Sequence, residues 1–259
     1  MILTMPSLRN LKVFPVNLSK DWNPLFAGFW KSWSIPRQPP MVVTFPHIGE
    51  GGAKEAAAFE VKKAQYLAAA RTSPGQIWFK LVDTHKTPES IVGGLCVTHW
   101  KDEEKPKHMP DTPHYGFEPG SQRRMMSEQL YGQVHEWHRR AMQKREHIYG
   151  QAMWILPEYR NLRAAPLLLS KYEDLLNEHD VEGYAECVQL SKGLLERMGF
   201  VVLNVINLPM KIDNPTEETK ALMDDFLSES IYLMWRPKKS DMKKKDIVMP
   251  SVGWKESKL

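Results

Sequence analysis

Residues 147–200 read HIYGQAMWILPEYRNLRAAPLLLSKYEDLLNEHDVEGYAECVQLSKGLLERMGF, and the order of elements in that stretch decides the fold class. YGQAMWIL (149–156) is aromatic and branched enough for a strand, and Pro157 stops it because proline cannot donate to a sheet ladder. A short loop leads into LRAAPLLLSKYEDLLNEH (162–179), whose apolar residues recur at helical spacing. Pro166 then falls in the first turn of that helix, where a missing N–H costs least. GYAECVQ (183–189) returns as a strand, SKGLLERM (191–198) as a short helix and GFVVLNVINL (199–208) as another strand. Strands alternating with helices predict an α/β or α+β domain with some parallel strands in the C-terminal half.

Working outward, RNLKVFPV (9–16) reads as a first strand and WNPLFAGFWKSW (22–33) as a helix. Phe26, Phe29, Trp30 and Trp33 form an aromatic stripe on that helix. Such a stripe reads as core in preference to a cofactor box. IPRQPP (35–40) ends the helix, since proline removes a ladder hydrogen bond and clashes with the preceding turn. KEAAAFEVKKAQYLAAAR (54–71) is built from strong helix formers. QIWFKLVD (76–83) and IVGGLCVTHW (91–100) read as a hairpin around the turn DTHKTPES (83–90). Residues 101–122 are charged, carry four prolines and show little periodicity, which fits either a functional lid or a disordered segment. A helix is expected over 125–144, another over 215–227, and IYLMWRP (231–237) closes the sheet.

Composition excludes several classes. The chain has 259 residues, 42% of them hydrophobic and 25% charged, close to globular averages. It has 35 basic and 31 acidic residues with both signs interspersed, which argues against a nucleic-acid partner. Lys238, Lys239, Lys243, Lys244 and Lys245 form the one basic cluster, read as a solvated tail or as an anion-binding arm. The mean hydropathy is −0.46, and no apolar run approaches the roughly 20 residues of a membrane helix. No signal peptide is read at the N-terminus, so a cytoplasmic protein without membrane partners is expected. Cys96 and Cys187 each sit in an apolar run and are expected as buried free thiols.

No nucleophile elbow, P-loop or dinucleotide fingerprint is present, and GEGG (49–52) follows no strand. His135 and His138 in HEWH stand at i, i+3 rather than the i, i+4 of zinc helices, so no metal site is expected. The strand–Pro157–loop–helix junction is more informative. A helix N-terminus offers unpaired amides and the positive end of its dipole, and Arg160 and Arg163 lie beside it. That combination fits a phosphate-bearing ligand or a solvated basic turn.

The same stretch resembles the GNAT superfamily of N-acetyltransferases, in particular its fungal members. The resemblance rests on Pro157-Glu158-Tyr159, on the loop Arg160-Asn161-Leu162-Arg163-Ala164-Ala165, on Glu186-Cys187-Val188, and on Leu194-Leu195-Glu196-Arg197-Met198-Gly199-Phe200. Residues 78–83 and 91–94 match the family's second and third strands, so the likeness covers roughly residues 8–237. It implies a GNAT fold: a mixed, mostly antiparallel sheet of about seven strands, helices on both faces, and a splay between the fourth and fifth strands. One domain would span residues 1–237, with 101–125 inserted as a loop or lid and 238–259 as a basic tail.

The function implied is acyl-CoA-dependent acetyl transfer to the amine of a small, apolar or aromatic metabolite. Backbone groups of Trp154 and Ile155 would pair with the pantetheine arm. Amides of Arg163, Ala164 and Ala165 would hold the pyrophosphate, with Arg160 and Arg163 adding charge. Glu186 is the candidate base, or else pairs with a neighbouring lysine or arginine, and Gln151 would orient the thioester or a water. Phe26, Trp30, Val188 and Leu195 would line the acceptor pocket. The sequence departs from the family at Arg163, where a loop glycine is usual, at Leu195, where a tyrosine is usual, and at Val188 and Gln151. Those departures also fit a repurposed enzyme working without CoA, or a non-catalytic binding protein. A small-molecule substrate and a monomer or homodimer are expected in every case.

Overall fold

A computed structural model describes residues 8–86, 88–101, 117–207 and 209–250. The strands are β1 (Leu11–Pro15), β2 (Gln76–Asp83), β3 (Ser90–Trp100), β4 (His147–Ile155), β5 (Glu182–Val188), β6 (Val201–Ile206) and β7 (Ile231–Arg236). They form one seven-stranded sheet in the order β1-β2-β3-β4-β5-β7-β6. The helices are α1 (Trp22–Ser34), α2 (Pro39–Val42), α3 (Gly52–Thr72), α4 (Gln122–Met142), α5 (Ala165–His179), α6 (Gln189–Glu196) and α7 (Glu217–Ser228). The expected α/β class and strand number therefore hold. Most of the expected lid, 102–116, lies outside the described residues.

In the C-terminal half, where some parallel strands were expected, β7 inserts between β5 and β6 and pairs antiparallel with both. β5 and β6 thus run the same way without being neighbours. The helix expected from residue 162 starts at Ala165, because Pro157–Leu162 is a 3-10 segment closed by Arg163 in the left-handed region. Pro166 still falls in the first turn of α5. An additional short helix, α2, begins at Pro39, so the prolines that end α1 also start its successor.

The described residues cluster into two compact units. One holds 8–98, 117–119 and 150–175, and the other 99–101, 120–149 and 176–250. In the first unit β1, β2 and β3 pair antiparallel, and the α1 stripe packs with α3. Phe26 sits at the centre of that packing, with ring centroids 5.5 to 6.3 Å from Phe29, Trp30, Phe59 and Tyr66. In the second unit Ala141, Met142, Tyr184 and Trp235 form a core joined by Tyr149, Leu203 and Ile247. Ser121 caps α4 through the Arg124 amide and Thr216 caps α7 through the Thr219 amide.

The described part of the expected basic tail lies on this second unit. Ile247 joins the core, the Ser240 amide donates to Asp180, and Arg145 donates to the Val248 carbonyl. No described helix is long and apolar enough to cross a membrane.

Candidate functional site

In the first unit, β4 ends on Trp154 and Ile155, both buried. A methyl on Gly28 would overlap the Trp154 ring, and one on Gly94 would come within 2.6 Å of its Nε1. The two glycines of the Ile91–Gly94 motif thus leave room for side chains at the end of β4: Gly94 for the Trp154 indole, Gly93 for Ile155. The Ile155 carbonyl, expected to face pantetheine, already accepts from Ser32 Oγ at 2.9 Å and Arg160 Nε at 3.1 Å. Arg160 also donates to the carbonyls of Ile35 and Ser32, each at 2.7 Å. Its guanidinium therefore ties the loop to the end of α1, where uncapped carbonyls need donors.

The rest of the junction is equally anchored. Tyr159 is fully buried and donates to Asp83 at 2.8 Å. Burial, and then the neighbouring Asp83 carboxylate, push its phenol upward in pKa. Glu158 pairs with Lys31 at 3.0 Å on the surface. Arg163 differs from all of these. Its φ is 56° and ψ 34°, a left-handed conformation that glycine adopts freely and arginine does not. Its side chain is exposed and makes no hydrogen bond or ion pair among the described residues. Ala164 is buried and Ala165 opens α5, whose first amides have no partner within the helix.

Gln151 lies on β4 as expected, but as a receiver. Its Oε1 accepts from Gln76 Nε2 at 3.0 Å, Cys96 Sγ at 3.1 Å and Thr98 Oγ1 at 2.6 Å. Three donors on one atom fix it as the amide oxygen. Gln76 and Thr98 are register partners on β2 and β3, which is why their side chains converge there. Cys96 is buried with its thiol pKa raised well above the usual value, so it stays a donor.

In the second unit Glu186 lies on β5 among rings. The residue keeps some exposure, yet its Oε1 is sealed from solvent and has no hydrogen-bond partner. Burial raises the carboxyl to about 7, against the opposing pull of the Tyr149 and Tyr184 hydroxyls beside it. His138 on α4 stacks on Tyr184 at 4.6 Å and 10°, and tilts against Tyr149 at 4.4 Å. Its Nε2 lies 2.7 Å from Nε2 of His147. The sequence reading missed this array. Period-2 alternation places His147 with Tyr149, and Tyr184 with Glu186, on one face of their strands, and that signal was available.

The remaining predicted residues are placed as follows. Phe26 and Trp30 pack in the aromatic core of the first unit, and the Trp30 indole donates to Glu55. Leu195 is 6% exposed and packs inside the second unit. Val188 precedes α6 and is half-buried. Cys187 is half-buried, and burial pushes its thiol up to about 12, which suits neither nucleophile nor thiolate. No group of His, Cys, Asp and Glu able to hold a metal occurs among the described residues. The first unit also has an open cleft of about 460 Å³ lined by Asp21, Lys31, Lys80, Glu89, Ile91 and Leu156 among others. None of the predicted site residues lines it.

With this geometry in view, solved structures place the fold. Polyamine N-acetyltransferase of Drosophila melanogaster superposes with a TM-score of 0.57 at 14% identity, covering 87% of this chain and 98% of that one. Arylalkylamine N-acetyltransferase 2 of Aedes aegypti gives 0.56 at 12% identity, covering 88% and 99%. The C-terminal condensation domain of Ebony, in complex with β-alanyl-dopamine, gives 0.55 at 10% identity, covering 87% and 98%. The chain thus has the fold of the GNAT N-acetyltransferases. No protein-family model and no curated protein matches the sequence.

Proposed function

We propose that the protein transfers an acyl group, acetyl in the simplest case, from acyl-coenzyme A to the nitrogen of a small amine. The observation that carries this reading is the turn at Arg163. Its backbone follows the left-handed path that the family's loop glycine would take, and its guanidinium stands exposed and uncommitted at the start of α5. Arg163 and the amides of Ala164 and Ala165 would hold phosphate there by charge-assisted bonds and the helix dipole. Arg160 has no part in that, because main-chain carbonyls occupy it.

In the reaction, the amine nitrogen attacks the thioester carbonyl carbon, the C–S bond breaks, and the sulfur leaves as a thiolate. The amine must lose a proton. Glu186 is the proposed acceptor, since a carboxyl near 7 is partly ionised and partly able to hold a proton at neutral pH. Leu195 has no proton to give, so water protonates the thiolate. An amine acceptor agrees with neighbours described as polyamine and arylalkylamine N-acetyltransferases.

One observation favours a second reading, chemistry on a small molecule without coenzyme A. The Ile155 carbonyl is already filled by two internal donors. Thermal unfolding with acetyl-CoA separates the two. A ligand at 100 times its dissociation constant stabilises by about 2.7 kcal/mol. A clear shift, followed by N-acylated product in mass spectra with a polyamine or arylalkylamine, supports transfer. No shift with acetyl-CoA or longer acyl-CoAs leaves the second reading.

A further inference from the structure

The basic cluster in the second unit is used by nothing described so far, and the fold holds it in place. Residues 238–246 carry five lysines and two aspartates. The segment is fastened at both ends. The Ser240 amide donates to Asp180 at 2.9 Å, and Met242 packs against Gly199, where an added methyl would come within 2.7 Å of its terminal carbon. Farther on, Ile247 joins the core, Arg145 donates to the Val248 carbonyl at 2.7 Å, and Pro250 is buried. Internal acids use only part of the positive charge. Lys244 pairs with Asp241 at 2.5 Å. The Ser240 hydrogen bonds, helped by the Lys238 charge, hold the Asp180 carboxyl below its usual range. Lys239, Lys243 and Lys245 are exposed and make no ion pair among the described residues.

The same segment exposes apolar surface beside these cations. Val248 is 76% exposed and Met249 48%, although Ile247 before them packs on the core and Pro250 after them is buried. The fold thus keeps two adjacent apolar side chains in water. Three residues of chain take Lys245 to Val248, a span of at most about 11 Å. Positive charge and apolar side chains this close suit an anionic bilayer surface, where lysines gain from the headgroup potential and apolar groups from the acyl boundary. A nucleic acid is matched less well. Residues 237–250 contain no arginine to grip a phosphate with a fork of donors and no aromatic ring on which a base could stack. No described helix is long and apolar enough to cross a bilayer, and surface docking needs none. We propose that residues 238–249 dock the protein on an anionic lipid surface, with Lys239, Lys243 and Lys245 at the headgroups and Val248 and Met249 in the interface. The inference goes beyond the proposed acyl transfer and does not rest on it.

Co-sedimentation of the full chain with lipid vesicles tests the docking. Vesicles of phosphatidylcholine mixed with phosphatidylserine should bind the protein, more weakly as salt is added, and vesicles of phosphatidylcholine alone should not. Each lysine near such a surface is worth about fivefold in affinity, so Lys239→Gln, Lys243→Gln and Lys245→Gln combined should bind about a hundredfold more weakly. Val248→Ser with Met249→Ser keeps every lysine and should bind at least fivefold more weakly. All five side chains are exposed, and circular dichroism checks that the variants stay folded. If a variant does not fold, the wild-type comparison of the two vesicle types decides alone. Absence of binding to the mixed vesicles, or full binding by the lysine variant, overturns the proposal. Lysine-dependent binding that ignores the serine pair, or a preference for duplex DNA over the mixed vesicles, also overturns it and makes the segment a general polyanion site. Acetyl-CoA enters neither readout, so the outcome is separate from that of the proposed transfer.

Discussion

Arg163 and Glu186 are the two residues whose local physics is least expected from their type. An arginine at φ 56° holds a conformation that disfavours side chains and most disfavours branched ones. Arg163→Val should therefore lose about 1–2 kcal/mol in urea unfolding, while Arg163→Gly should be no less stable than wild type. Equal stability of all three would mean that the turn is not held left-handed. Glu186 has a folded pKa of about 7, above its unfolded value. Its contribution is therefore fully present below the unfolded pKa, near 4.3, and is lost as pH rises through 7. Glu186→Gln escapes that loss. Its stability relative to wild type should rise between pH 4.5 and pH 8, by up to about 3 kcal/mol. A pH-independent difference would remove the raised pKa from the account. His138 has the opposite sign: its depressed pKa makes the fold lose stability as pH falls below about 6.5, where the unfolded histidine binds protons.

Among the elements, the end of β4 depends most on its neighbours. Trp154 occupies space that Gly28 on α1 and Gly94 on β3 leave open. Gly28→Ala should cost about 1–3 kcal/mol by overpacking. The same change in a Trp154→Leu background should cost clearly less, in a double-mutant cycle by chemical denaturation. Additive costs would show that the indole is not what fills the space. This dependence also marks where sequence reading stops. Gly93 and Gly94 were legible as part of a strand motif, and Pro157 as the end of β4. The start of α5 was not, because the apolar spacing runs through Leu162 while the backbone at Arg163 breaks it. Arg160 and Arg163 look alike in sequence. Only the reach of Arg160 to Ser32 and Ile35, more than a hundred residues away, separates the structural arginine from the exposed one.

At the scale of the molecule, the strand and helix periods carried the fold. The seven strands and their class followed from short patterned runs, whereas the insertion of β7 between β5 and β6 has no local signal. The aromatic stripe of α1 illustrates the same limit: spacing places Phe26 and Trp30 on one face, but only the packing of α3 makes that face core. The His138–His147 pair escaped because its two members lie on different elements. The central claim is that the turn at Arg163 serves a phosphate-bearing acyl carrier, and calorimetry of acetyl-CoA against wild type and Arg163→Glu tests it most directly. The account predicts binding to wild type and affinity at least tenfold weaker in Arg163→Glu, which sets a like charge at the phosphates. Equal affinity in the two proteins, or tighter binding on removing the arginine in Arg163→Gly, would contradict it.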